Sequence, residues 1–226
     1  LLGLLFSSTT AGCGTTVGAG WYVDEITIET GAESGWNPME GFEVGWTGWK
    51  ADYIGGKATD FAIWEIGVPT SGPGSAYSGT NCAATVLSGN YPENRSARLV
   101  SQPFGVPAAD QNPRLRFWHW WSFGCGDYGQ VQISTNGGSS WVNLSGAYSA
   151  DSSGRWSRGW LDLTPYAGKS VLLGLLFSST TAGCGTTVGS GWYVDEIMIE
   201  TGPEPSFAPL ENFETGWGGW KADYIG

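Results

Sequence analysis

Positive charge is scarce: 10 Lys and Arg stand against 21 Asp and Glu in 226 residues, a net charge of −11. With no basic cluster to offset it locally, that field repels a phosphate backbone and an anionic bilayer. Nucleic acid and direct membrane insertion are excluded as partners on that ground. Histidine is limited to His119, and no H-E-x-x-H occurs, which removes a zinc-peptidase centre. The four cysteines form no C-x-x-C and offer no zinc-ligand spacing. Long apolar runs are missing too. Leu1 to Phe6 is far short of a membrane span and lacks the basic region and cleavage site of a signal peptide, so the natural N-terminus is expected upstream. Sustained helical periodicity is absent apart from a turn at Leu163 to Gly168.

What the chain has in excess is glycine, 37 residues, and tryptophan, 14, with an apolar content of 41% that suffices for one core. It also repeats itself. Residues 1–55 realign with 172–226 at an offset of 171; 11 of the 55 positions differ, nine of them between 32 and 47. A period of that length makes each copy a domain with its own core. The divergent seam, rich in Pro, Glu, Gly and Ser, places linkers near 31–38 and 202–209. Residues 1–35 are thus expected to be the C-terminal part of a preceding repeat, 36–206 one complete repeat, and 207–226 the start of the next. Partial repeats expose unpaired strand edges, so neighbouring copies are the expected partners, whether in one chain or by strand complementation between chains.

The complete unit reads as strands. In Arg114 to Phe123 the residues Leu115, Phe117, His119, Trp121 and Phe123 share one face, and Arg116, Trp118, Trp120 and Ser122 the other. Tyr128 to Ser134, an Asn136-Gly137 turn and Trp141 to Leu144 make a hairpin. Val171 to Ser178 and Gly191 to Glu200 supply the late strands. Short strands between Gly, Pro, Asn and Ser clusters predict an all-β fold, an antiparallel β-sandwich.

FE-x-G-W near Phe42, WEIGVPTSGPGSAYSGTNCAATVLSGNY at 64–91, FWHWWSF at 117, YGQVQISTNGG at 128, LDLTPYAGKSVLLGLLFSS at 161 and GWYVDEI at 191 together carry a resemblance. The ordered set resembles bacterial extracellular jelly-roll domains. These are the MAM-like accessory domains of immune inhibitor A-type metallopeptidases and the choice-of-anchor J domains of surface proteins. The resemblance implies a jelly roll, secretion, a structural calcium ion, and adhesion or ligand binding. It also implies that the Gly-rich loops holding Cys125 and Cys184 approach each other, which makes a Cys125–Cys184 disulfide the expectation. Cys82 then remains, either as a buried free thiol or in an intermolecular bond.

Strict alternation in GWYVDEI sets Tyr193, Asp195 and Ile197 on one face, and an Asp among apolar neighbours requires a partner. The resemblance places Glu43, in the first strand, beside the last one. Two carboxylates with backbone carbonyls and the Asn81 amide oxygen would make a hard oxygen cage for Ca²⁺; Asp24 and Glu214 are the equivalent positions in the flanking copies. The alternative is that Asp195 and Glu43 cap turns or stay solvated.

Trp118 and Trp120 share one face of a strand whose other face is also aromatic, so some rings either lie under loops or serve a partner. Stacking on sugar rings is one use; packing between domains is the other, and Trp46 and Trp49, beside the seam, fit it best. His119 reads as a hydrogen-bonded core residue, and no nucleophile-base pair is placed, so no enzymatic activity is expected. The leading expectation is a calcium-stabilised structural subunit of an extracellular surface fibre or filament. The alternative is a carbohydrate-binding or adhesin module taking polysaccharide.

Overall fold

The computed structural model describes residues 39–54, 63–149, 152–181 and 188–203. All of them fall in one compact unit, Ala32–Pro203. The expectations for 1–35 and 207–226, and with them Asp24, Glu214 and Cys184, lie outside the described residues.

Two antiparallel sheets face each other, as the alternation predicts. The first contains β1 (Lys50–Tyr53), β4 (Ser96–Val100), β11 (Ser170–Ser178), β7 (Tyr128–Ser134) and β8 (Val142–Asn143) in that order, with β5 (Phe104–Gly105) pairing β11 and β9 (Tyr148–Ser149) pairing β7. The second runs β10 (Ser157–Asp162), β6 (Arg114–Ser122), β12 (Gly191–Glu200), β3 (Cys82–Ala84) and β2 (Glu65–Gly67). Connections pass repeatedly between the sheets, the jelly-roll habit. The one helical feature expected, at 163–168, is a 3₁₀ turn over Thr164–Tyr166.

Each inner face is built by period-two alternation. Leu99, Val131, Ile133, Leu173, Leu175 and Phe177 from the first sheet meet Leu115, Phe117, Trp192, Val194 and Ile199 from the second. Trp192 is fully buried, its indole nitrogen donating to Nδ1 of His119 at 3.3 Å. The indole lies against the backbone of β7 at Gly129, where a Cβ would stand 2.7 Å from the ring. Glycine inside a strand here marks a close approach, not a turn.

The doubly aromatic strand β6 is explained by a second layer. Its outer face is roofed by the segment between β2 and β3: Tyr77 stacks on Trp118 with centroids 3.9 Å apart, and Ser71 Oγ lies 2.9 Å from Tyr193 Oη. Trp120 is buried with Tyr193, Ala84 and Cys82 in a small satellite core. Farther along the same face, Arg114 and Arg116 are buried with Glu200, and Arg116 Nε lies 2.6 Å from its carboxylate. Those charges are tolerated there because they are paired.

Two local expectations are corrected. Strict alternation does not survive the whole of β12: its register against β6 shifts between Asp195 and Met198, with Glu196 at φ 45°. This bulge turns Ile197 into the sandwich core while Tyr193 and Asp195 face outward, so Asp195 and Ile197 do not share a face. Nor does Glu43 stand in a strand. Residues 43–45 and 47–48 are turns and a bend, and the first strand begins at Lys50.

Gly129→Ala is expected to destabilise the unit by about 1–3 kcal/mol through overpacking against Trp192. Urea unfolding of the two proteins checks this, and a coincident midpoint would contradict the packing described.

Candidate functional site

Two places on the unit gather polar chemistry. The first is the corner where the unit's ends meet. Glu40 and Ile197 form a two-hydrogen-bond bridge, each amide donating to the other's carbonyl at 2.9 Å. The Glu40 carboxylate accepts from the Phe42 amide at 2.7 Å and from the Thr47 hydroxyl, folding the chain back so that Phe42 adopts φ 57°. That turn delivers Glu43 to the loop before β3. There its Oε1 accepts from the amides of Thr80, 2.9 Å, and Asn81, 2.8 Å. These hydrogen bonds, Asn81 first, hold the Glu43 carboxyl below its ordinary value. Gly79, at φ 62°, makes the approach possible, since a Cβ would stand 2.5 Å from Glu43 Oε1.

Asp195 reaches the same loop from the other side. It is fully buried and accepts from the amides of Ser78, 3.0 Å, and Glu196, 2.7 Å. Burial pushes its carboxyl up to about 7, and the two amides only partly oppose this. The structure therefore brings together Glu43, Asn81 and Asp195, three residues singled out in the sequence, around Ser78–Asn81. No cluster of three or more His, Cys, Asp or Glu stands among the described residues. The oxygens on this loop are nonetheless hard donors: two carboxylates and the Asn81 amide oxygen, which accepts no hydrogen bond from a described residue while its nitrogen donates to Glu43 O at 3.4 Å. A buried carboxylate with no described cation beside it fits Ca²⁺ in type.

The second place is the outer face of the first sheet, which the sequence reading missed. Register sets Asp52 of β1 opposite Arg98 of β4, Arg98 opposite Leu176 of β11, Gly174 opposite Gln132 of β7, and Gln132 opposite Asn143 of β8. Arg98 Nε donates to Gln132 Oε1 at 2.9 Å, and Gln132 Nε2 donates to Asn143 Oδ1 at 2.8 Å. The guanidinium lies over the Trp141 ring, 4.3 Å from its centroid. Both rest on Gly174, where a Cβ would meet Arg98 Cδ at 2.5 Å and Trp141 Cζ3 at 2.7 Å. The indole is part-exposed and Asn143 is exposed. The available signal was Gly174 itself: a glycine inside the apolar run LLGLL announces that something lies close upon the strand.

The remaining sequence candidates stand elsewhere. Trp118 is stacked beneath Tyr77, and its buried indole nitrogen has no acceptor among the described residues. Trp120 packs edge-on against Tyr193. Trp49 is buried against Phe42, whereas Trp46 is 40% exposed, as Met39 and Val44 also are to 43% and 83%. Cys125 is not among the free thiols of the described residues, while Cys82 is free and buried. Cys184 lies outside them, so that disulfide stays an expectation. His119 is committed to Trp192 Nε1, and burial lowers it to about 3.

No protein-family model matches the chain. Bacillopeptidase F of Bacillus subtilis (strain 168) is 28% identical over 178 residues, 78% of this chain but 11% of that protein, so the chain corresponds to a small part of it. Among solved structures, TmCBM61 in complex with β-1,4-galactotriose shares 15% identity over 72% of this chain and 95% of that one, with a TM-score of 0.48. The K1 cleaved adhesin domain of Lys-gingipain from Porphyromonas gingivalis W83 shares 17% over 76% of this chain and all of that one, also with a TM-score of 0.48. Likeness at this level carries nothing over to this chain.

His119 and Asp195 give opposite pH dependences. With His119 depressed to about 3 from 6.5, the unfolded chain binds the proton preferentially between those values, so stability rises with pH. With Asp195 raised to about 7 from 3.8, the folded protein binds it preferentially, so stability falls as pH rises between them. Chelator-treated Asp195→Asn should therefore gain stability more steeply than the parent from about pH 4 to 6.5, read as urea midpoints. Parallel pH profiles would contradict the assignment.

Proposed function

We propose that the folded unit is a non-catalytic carbohydrate-binding module of an extracellular or cell-surface protein, stabilised by a structural calcium ion and strung in series with copies of itself. The observation that carries this reading is the platform on the first sheet. A part-exposed indole stands beside hydrogen-bonding groups that the protein leaves uncommitted, which is how a sugar's C–H face and hydroxyls are held together. Leu172 and Leu176, part-exposed on the same face of β11, add apolar surface at its margin. The aromatic pair Trp118 and Trp120 supports the module differently, by anchoring the segment that roofs the second sheet.

Glu43, Asn81 and Asp195 would hold the calcium ion, which would supply charge neutralisation at a closed end of the sandwich and no chemistry. Repetition supports avidity: Gly3 is the earlier copy of Gly174, and Lys221 and Asp223 are the later copies of Lys50 and Asp52. The exposed Met39, Val44 and Trp46 beside the seam favour a second, compatible reading, in which successive units pack end to end as a surface filament. Extracellular placement rests on the resemblance to secreted and surface jelly rolls.

Affinity electrophoresis of the whole chain in gels containing polysaccharide tests the glycan reading. Trp141→Ala should weaken retention by about tenfold or more, equivalent to about 1.4 kcal/mol of lost contact. Trp160→Ala, an exposed indole on the second sheet, should leave it unchanged. The reverse pattern would move the site and overturn the reading. For calcium, a chelator should lower the melting temperature of the parent and leave Asp195→Asn unmoved; an unchanged parent melt would remove the ion.

A further inference from the structure

Among the described arginines, Arg98 is placed unlike Arg114 and Arg116. Those two are buried and each is paired with a carboxylate: Arg114 Nε lies 3.3 Å from Glu200 Oε2 while its Nη1 donates to the carbonyls of Asn112 and Gly202, and Arg116 lies against Glu200 and, at 4.0 Å, Glu196. Arg98 is part-buried, and its only hydrogen bond to a described residue runs from Nε to the neutral Gln132 carbonyl oxygen. Neither terminal nitrogen donates to any described residue, and no described carboxylate pairs with it. Asp52, the part-exposed carboxylate on the neighbouring strand, is engaged by Lys50 Nζ at 3.3 Å. Burial accordingly holds Arg98 below its ordinary value, and Asp52 opposes this weakly. In a chain with 21 acidic residues and 10 basic ones, a partly desolvated guanidinium left without a carboxylate is under-compensated by its own protein.

Its geometry is fixed rather than adventitious. The Nε bond to Gln132, the onward bond from Gln132 to Asn143, the Trp141 ring and the glycine floor at 174 together restrict the plane of the fork. Among the described residues, nothing engages the two terminal nitrogens or the Asn143 amide nitrogen, all donors. A donor-only set with one uncompensated positive charge selects an acceptor-only anion, and a planar guanidinium matches a carboxylate bidentately. Resting on the glycan reading above, we propose that the Arg98–Trp141 platform is specific for a carboxylated sugar, with the sugar carboxylate on the Arg98 fork and the Asn143 amide donating beside it.

The net charge of −11 opposes long polyanions, so the preference is read with short oligosaccharides at physiological ionic strength, where screening confines that field to about 8 Å. Calorimetric titration of the whole chain with trigalacturonate, its neutral methyl ester and sialyllactose supplies the arms. The free acid should bind at least about tenfold tighter than the ester, the scale of a charge-assisted pair. Comparison with sialyllactose decides whether the carboxylate is taken within a chain or at a terminus. Arg98→Gln should abolish the difference between acid and ester while neutral binding persists. Arg98→Lys, which keeps the charge but loses the fork, should retain only part of it. Trp141→Ala should weaken both ligands alike. Circular dichroism confirms folding of each variant. Equal affinity for acid and ester, or an acid preference that survives in Arg98→Gln, overturns this proposal while leaving a neutral-glycan module standing. Failure of the folded parent to bind any of these sugars or neutral polysaccharide overturns the glycan reading itself.

Discussion

Trp192 ties the two sheets of this sandwich into one body. It belongs to the second sheet, yet its ring lies on the backbone of β7 in the first, in the space left by Gly129. Around it stand Trp64 and Tyr148, with centroids 5.9 and 5.8 Å away, and the imidazole of His119. A buried indole N–H needs an acceptor, and a buried imidazole is stable only when neutral; each meets the other's requirement. The chain's single histidine is thereby a buried structural acceptor, and burial favours its neutral form.

Pinning β12 at Trp192 also positions what that strand presents outward. Tyr193 and Asp195 alternate onto the opposite face, where the segment from Ser71 to Asn81 closes over them. The bulge at Glu196 then rotates the rest of the strand, so that Ile197 enters the core and meets Glu40. A local departure from regular pairing thus allows one strand to serve a hydrophobic core, a carboxylate site and the closure of the unit. Three non-glycine residues at this corner have positive φ, Phe42, Thr47 and Glu196, and each takes part in the hydrogen bonds that define it.

The sandwich was legible because alternation is a local signal. β6, β7, β11 and β12 and the hairpin turn stand where the pattern puts them, and His119 is the hydrogen-bonded core residue its neighbours suggest. The meeting of Glu43, Asn81 and Asp195 was legible only through resemblance, since 152 residues separate Glu43 from Asp195. The bulge was not, because Ile197, Met198 and Ile199 are all apolar and leave the change of phase unmarked. That rings of β6 lie under a loop was one of the two outcomes the pattern allowed, but which segment roofs Trp118 and Trp120 was not legible, since it is irregular and without periodicity. The Arg98–Trp141 platform is the extreme case: its members come from β4, β7, β8 and β11 and the turn before β8, and only strand order and register bring them together.

The Glu40–Ile197 bridge joins the beginning of the unit to its last strand in antiparallel sense, so the chain arrives and departs on the same side of those two hydrogen bonds. Tension transmitted along a string of such units would load the pair as a zipper, one bond after another, rather than in shear. The turn of Glu43 and the anchored Asp195 lie immediately behind that pair. The carboxylates of that corner, and whatever they bind, would brace the pair against such opening, behind the pairing of Met198–Glu200 with Arg116–Arg114 that the departing strand must give up first.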